Sequence, residues 1–331
     1  MSITVVLQQM IIIMILILTG MFLYRRKMLS EDTSRQLSGL IVNITNPALL
    51  ICSAFDDTPK VPLSTLGIGA CVFFISYILL IAAAYLIPLL LKVPKAERYS
   101  YRMLTVFGNV GFIGIPLASA VLGSESLIFV SLNNLIYNVL VYTFGLSLLK
   151  KASLEQHSSK NASNVQTAEN AAGPNRNSAD SDSVLRKLVN AGTVSALLTI
   201  LFYLGNFKVP VIISSTLTHA GRTTTFLSML VLGVSVAQMA PKEIFSHPKL
   251  YVFTLLRQIL LPAAFTLTLG LFIKNALIVN TAALMLAVPA GNMPLMLSKQ
   301  LHVDESVISQ GIILTTLLSL ITIPVVTLFI G

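Results

Sequence analysis

The chain has 331 residues, 55% of them hydrophobic and 11% charged, with a mean hydropathy of +0.83. That composition excludes a soluble globular protein and points to a polytopic membrane protein. The net charge of +9 does not mark a nucleic-acid binder, because Lys and Arg are scattered through short loops between apolar runs, as topology signals are. A spanning helix needs about 20 residues. Ten apolar segments meet that length, at residues 4–24, 36–55, 63–91, 100–121, 126–149, 184–204, 219–239, 249–273, 276–297 and 305–330. The first has no basic residue ahead of it and is followed by Arg25-Arg26-Lys27, so it reads as a retained spanning helix rather than a signal peptide. Cys52 and Cys71 both fall in apolar segments and imply neither a disulfide nor a metal site.

Between the fifth and sixth segments, residues 151–183 are rich in Ser, Asn, Ala and Gln and include Gly173-Pro174-Asn175. Nothing there offsets the entropy of ordering, so this stretch is expected to be a flexible cytoplasmic linker. Asn161-Ala162-Ser163 has the form of a glycosylation acceptor but falls on the inner face, where it goes unused. Placing the N-terminus outside collects Arg25, Arg26, Lys27, Arg35, Lys92, Lys95, Arg98, Arg102, Lys150, Lys151, Lys160, Arg176, Arg186, Lys187, Lys242, Lys249 and Lys299 on the inner side. Only Lys60, Lys208 and Lys274 remain outside, so both termini are expected outside the cell membrane. Five segments on either side of the linker, 1–150 and 184–331, then enter the membrane from opposite sides. That is the arithmetic of an inverted repeat.

Two stretches carry Gly, Asn and Pro where a spanning helix least tolerates them: Gly108-Asn109-Val110-Gly111-Phe112-Ile113-Gly114-Ile115-Pro116-Leu117 and Ala287-Val288-Pro289-Ala290-Gly291-Asn292-Met293-Pro294-Leu295. Pro116 and Pro289 each remove a backbone donor, so each helix is expected to open there unless neighbouring groups satisfy it. Interrupted segments at corresponding places in two halves are the best sequence pointer to a transporter's substrate site.

These residues resemble the auxin efflux carrier family, which includes the plant PIN transporters and bacterial members described as malate or malonate permeases. Support also comes from Leu297-Ser298-Lys299-Gln300-Leu301, Lys27-Met28-Leu29, Asn46-Pro47-Ala48-Leu49-Leu50 and Phe226-Leu227-Ser228-Met229-Leu230-Val231-Leu232-Gly233. The linker is far shorter than that of many plant members. The resemblance implies an all-α membrane protein of ten helices in two inverted five-helix repeats, with broken helices four and nine crossing at the midplane. Helices one, two, six and seven would form a scaffold that can dimerise, and three to five with eight to ten a transport domain. An organic anion would bind beside the crossing and move by an elevator-like displacement.

The residue chemistry suits an anion. A half-helix starting at the bilayer centre presents unpaired N–H groups and about half a positive charge. The expected site comprises Gly108, Asn109, Ile115, Pro116, Pro289, Gly291 and Asn292. Asn109 and Asn292 can bind a carboxylate or satisfy freed backbone, and the glycines permit close approach of backbones. Asn133, Asn134, Tyr137 and Asn138 form a polar face that either lines the path or packs the domain; Gln310, Thr315 and Thr316 make a sparser one. Arg257 either holds a carboxylate or, the favoured alternative, snorkels to the cytoplasm. His219 and Arg222 read as interfacial anchors.

No acidic residue lies deep in a segment, which disfavours a proton relay or a carboxylate-built sodium site and favours transport driven by the anion's own gradient. His157, His219, His247 and His302 fall in loops or at segment ends, and no nucleophile–base motif is present, which excludes an enzyme. The partners expected are a small organic anion, auxin-like or a dicarboxylate, and membrane lipids, with no cofactor, metal or nucleic acid. A sodium- or proton-coupled symporter of the bile-acid type and a ligand-binding receptor are the alternatives.

Overall fold

The first helix, α1 (Ile3–Arg25), turns Leu7, Ile11, Ile15, Leu18 and Phe22 outward along one exposed stripe. A second stripe runs along α4 (Leu63–Leu90) through Phe74, Ile78, Leu86 and Leu89. Spacings of three, four or eight residues put each set on one helix face, and large apolar faces turned outward suit hydrocarbon rather than water.

The computed structural model describes residues 3–55, 61–163, 189–205, 207, 209–238, 246–301 and 303–328. Between α1 and α4, one helical run is built from α2 (Glu31–Leu40), a π turn (Ile41–Thr45), α3 (Asn46–Cys52) and a short 3-10 turn. Ser30 starts it by accepting the Thr33 N–H at 3.1 Å, with Glu31 and Asp32 in the first turn complementing the helix dipole. After α4 come α5 (Arg98–Val106), a π turn (Val110–Gly114) and α6 (Ile115–Leu122). The next run joins α7 (Leu127–Leu140), a π turn (Val141–Gly145) and α8 (Leu146–Ser163). The second half holds α9 (Ala191–Gly205), α10 (Val211–Ala237), α11 (Pro248–Leu255) with a π turn (Leu256–Leu260) and α12 (Leu261–Phe272), α13 (Ala276–Ala287), α14 (Met293–Gln300) and α15 (Ser306–Thr327).

Among the described residues, seven helical runs are long and apolar enough to cross a bilayer, and Val110–Leu122, Ala191–Gly205 and Ala276–Ala287 are shorter apolar helices. The chain is therefore an all-helical, multi-pass membrane protein. Several expected boundaries move. The second segment starts at Glu31, so Arg35 lies inside a helix. The seventh starts at Val211, so His219 and Arg222, expected near its end, sit more than two turns inside it on an exposed face. The fifth runs on to Ser163 into the expected linker, because Ala, Leu, Glu, Gln and Lys extend an existing helix at little cost. The rest of that linker and the start of the sixth segment, residues 164–188, lie outside the described residues, as do Lys60, Lys208, Lys242 and His302.

Pro116 corrects the expectation that its helix opens there, and two further prolines share its arrangement. Pro47, Pro116 and Pro262 each occupy the second position of an α-helix that follows a π turn. The preceding residues Asn46, Ile115 and Leu261 donate their N–H to the carbonyl five residues back, on Ile41, Val110 and Leu256. One wider turn accommodates the ring and the missing donor without a break. Pro116 thus sits in continuous helix, and the fourth segment breaks earlier.

The helices close against one another through small residues. Gly20 of α1 faces Leu230 of α10, where an added Cβ would come within 2.4 Å of the Leu230 carbonyl oxygen. Close backbone approach of this kind is the usual basis of helix packing in lipid.

Candidate functional site

α5 stops at Val106, Phe107 leaves the helical region at φ −102° and ψ 89°, and helical turns resume at Val110. α13 stops at Ala287, Val288 is extended at φ −57° and ψ 145°, and α14 begins at Met293. The two interruptions lie against each other. Asn109 N–H donates to the Pro289 carbonyl at 2.7 Å and Gly291 N–H to the Phe107 carbonyl at 2.9 Å, closing an antiparallel bridge between Gly108 and Ala290. Only glycine allows this approach: a Cβ on Gly291 would fall 2.7 Å from the Gly108 oxygen, and one on Gly108 would fall 2.8 Å from Val288 Cγ2. The Thr315 hydroxyl accepts the Ala290 N–H at 3.1 Å, and Arg257 takes carbonyls of the second break. These backbone groups of the breaks are therefore satisfied within the protein, as a low-dielectric surrounding requires.

Beside the paired breaks lies a cavity of about 380 Å³. Three helices begin at its wall. Asn109 caps the helical turns from Val110, its Oδ1 accepting the Phe112 N–H at 3.1 Å. Asn190 caps α9 by accepting the Thr193 N–H at 3.0 Å, and Asn292 and Met293 open α14. Each helix N-terminus carries about half a positive charge. Arg35 adds a whole one at the wall; it is exposed, with Nη2 3.8 Å from Glu31 Oε1. Among the described residues no acidic side chain lines the cavity. Among the same residues Asn109 Nδ2 is buried without a hydrogen-bond partner, as is Asn46 Oδ1. Phe112, Ile115, Tyr137 and Met293 supply apolar walls, and the Tyr137 ring packs edge-on against Phe107 at 5.8 Å.

Of the expected site residues, Gly108, Asn109, Ile115, Asn134, Tyr137, Asn138, Gly291 and Asn292 line this cavity. Asn134 also donates to the Gly192 carbonyl at 3.2 Å, and Asn138 to the Asn134 carbonyl at 2.8 Å, so helix packing and cavity lining coincide there. Asn133 turns away into a separate small space beside Arg257. Pro116 and Pro289 do not reach the cavity wall. The expectation that Arg257 snorkels to the cytoplasm is overturned: its side chain is fully buried and donates to the carbonyls of Leu286, at 3.1 Å, and Val288. A cation held by main-chain carbonyls has no need to reach water. It lies across the paired breaks from the cavity, so it is not an anion-facing group there.

Sequence reasoning missed Arg35, Asn43, Asn46, Asn190 and Gly192 as lining residues. Asn46 ties the second helical run to the first break, its Nδ2 donating to the Gly111 carbonyl at 3.0 Å. An Asn directly before Pro47 in an apolar run was the available signal.

Two comparisons bear on this geometry. The chain is 24% identical over 327 residues to an uncharacterized transporter of Methanocaldococcus jannaschii, covering 95% of each chain. The family model described as membrane transport protein matches residues 5–327. That match spans both breaks, the cavity and all the described helices but a few terminal residues, and it identifies a transporter rather than an enzyme. The chain belongs to the membrane transport protein family, the auxin efflux carrier family that its two interrupted segments resemble.

Proposed function

We propose that this transporter carries small organic carboxylate anions and binds them in the cavity beside the paired breaks. One observation carries the reading: helix N-termini and the unpartnered amide of Asn109 converge on a cavity that no acidic side chain lines among the described residues. Such a site attracts a carboxylate and repels cations. With Arg257 on the far side of the breaks and Arg35 exposed, the mostly apolar wall favours one carboxylate on an apolar body over a dicarboxylate.

The wider arrangement follows the same reading. The seven long runs and three shorter helices make ten passes, five in each inverted half, with both termini outside the plasma membrane. The first, second, sixth and seventh passes belong to a scaffold, and the others, with the breaks, belong to a mobile domain that carries the site across by an elevator-like displacement. The corresponding positions of the breaks in the two halves support this.

Asn109→Asp tests the site directly. Aspartate keeps the oxygen that accepts the Phe112 N–H, so the cap survives, but it replaces the unpartnered N–H₂ with negative charge. Binding of indole-3-acetate or malonate, read by thermal shift on the purified protein, is expected to weaken by about tenfold or more, since a like charge in a partly buried site costs more than about 1.4 kcal/mol. Unchanged binding of whichever anion the wild type takes would place the site elsewhere.

A further inference from the structure

Arg257 is buried on the π turn of the eighth segment, and its guanidinium occupies a definite place. Nη1 donates to the carbonyl of Leu286, in the last turn of α13, and to that of Val288, the first residue of the second break. The Leu286 oxygen belongs to the negative end of a helix that stops inside the protein. Nη2 lies 3.0 Å from where a Cβ on Gly108 would be, so the same group abuts the first break. Among the described residues Nε and Nη2 have no hydrogen-bond partner, and Arg257 borders a space of about 10 Å³, the size of one water, lined also by Ser76, Tyr77 and Asn133. Among the described residues no acidic side chain borders that space.

A half-helix that ends in mid-protein with free carbonyls is where a transporter otherwise binds a mobile coupling cation. We propose that the Arg257 guanidinium is the resident cation of the paired breaks, a positioning residue that fills by covalent tether the place a coupling cation would take. It neutralises the carbonyl end of α13 and holds the second break against the first. Being tethered, it is never released, so no ion crosses with the anion. The coupling half of this inference rests on the carrier reading; the cation-site half does not.

The test separates the two halves. Arg257→Ala leaves the carbonyl end uncompensated and opens room for a free cation. Purified Arg257→Ala is expected to melt below wild type and to be raised toward it by millimolar methylguanidinium, with sodium weaker and choline inert; wild type should respond to none of them. In proteoliposomes at fixed potential, Arg257→Ala is expected to carry anion roughly tenfold slower, the cost of losing charge-assisted hydrogen bonds. Methylguanidinium should restore that flux, while wild-type flux stays independent of sodium. Arg257→Lys, which keeps a cation, should melt and transport close to wild type without any addition, and it makes the comparison should the alanine variant not fold. Equal responses of Arg257→Ala and wild type to methylguanidinium, or a lysine variant as impaired as alanine, would overturn the cation site. Sodium-driven wild-type flux would overturn the coupling half alone, and absence of any wild-type flux would count against the carrier reading instead.

Discussion

Gly291→Val is expected to abolish transport and to destabilise the protein by about 3 kcal/mol or more, at or above the upper end of what overpacking a buried contact costs. A Cβ at residue 291 would sit 2.7 Å from the Gly108 oxygen, 3.1 Å from its carbonyl carbon and 3.3 Å from Asn109 Cα. Every one of those atoms is backbone, so no side chain can rotate away. Relief requires the two breaks to separate, which removes the Gly291 N–H bond to Phe107 and the Asn109 N–H bond to Pro289. In hydrocarbon surroundings the released groups find no water, and each then costs several kcal/mol rather than the about 1 kcal/mol of a solvated bond. Thermal unfolding in detergent and anion flux check the two parts. A variant that melts with wild type would show that the paired breaks are not a rigid unit.

The second large effect falls far from the cavity. Gly233→Leu is expected to separate α1 from α10, with a loss of about 3 kcal/mol or more, because its Cβ would approach the Ile17 carbonyl oxygen to 2.2 Å and Gly20 Cα to 2.8 Å. The approach is again backbone to backbone. Gly270→Ala in α12 is the control: nothing lies within 4 Å of its Cβ, and alanine gains helix propensity of up to about 1 kcal/mol. Melting curves of the two variants should therefore move in opposite directions, and a similar shift in both would remove the packing argument.

The contrast between these sites shows what the sequence could reveal. Asn and Gly inside an apolar run conflict with helix and lipid alike, so the two breaks and the part of the cavity wall they form were readable without coordinates. Which proline breaks a helix was not readable. Pro289 lies in a true interruption, whereas Pro116 is absorbed by one π turn, and the choice depends on tertiary partners such as Thr315 and Arg257. Asn133 and Asn134 look alike as neighbours, yet one turn of helix sends Asn134, Tyr137 and Asn138 to the cavity and Asn133 to the Arg257 side. Arg257 itself was misjudged because snorkelling is the default for an isolated cation in a span, and no local pattern foretells two main-chain carbonyls from a distant helix. Arg35 and Asn190 escaped notice because both lie at segment margins whose bounds composition leaves loose.

Flux of labelled malonate, malate and indole-3-acetate into proteoliposomes at set membrane potentials, with wild type beside Asn109→Ala and Asn292→Ala, tests the carrier most directly. Potential-dependent uptake of one anion, lost in both variants while their melting curves stay cooperative, is the expected result. Uptake of none of them, with binding still visible by thermal shift, would contradict carriage and leave a ligand-binding membrane protein in its place.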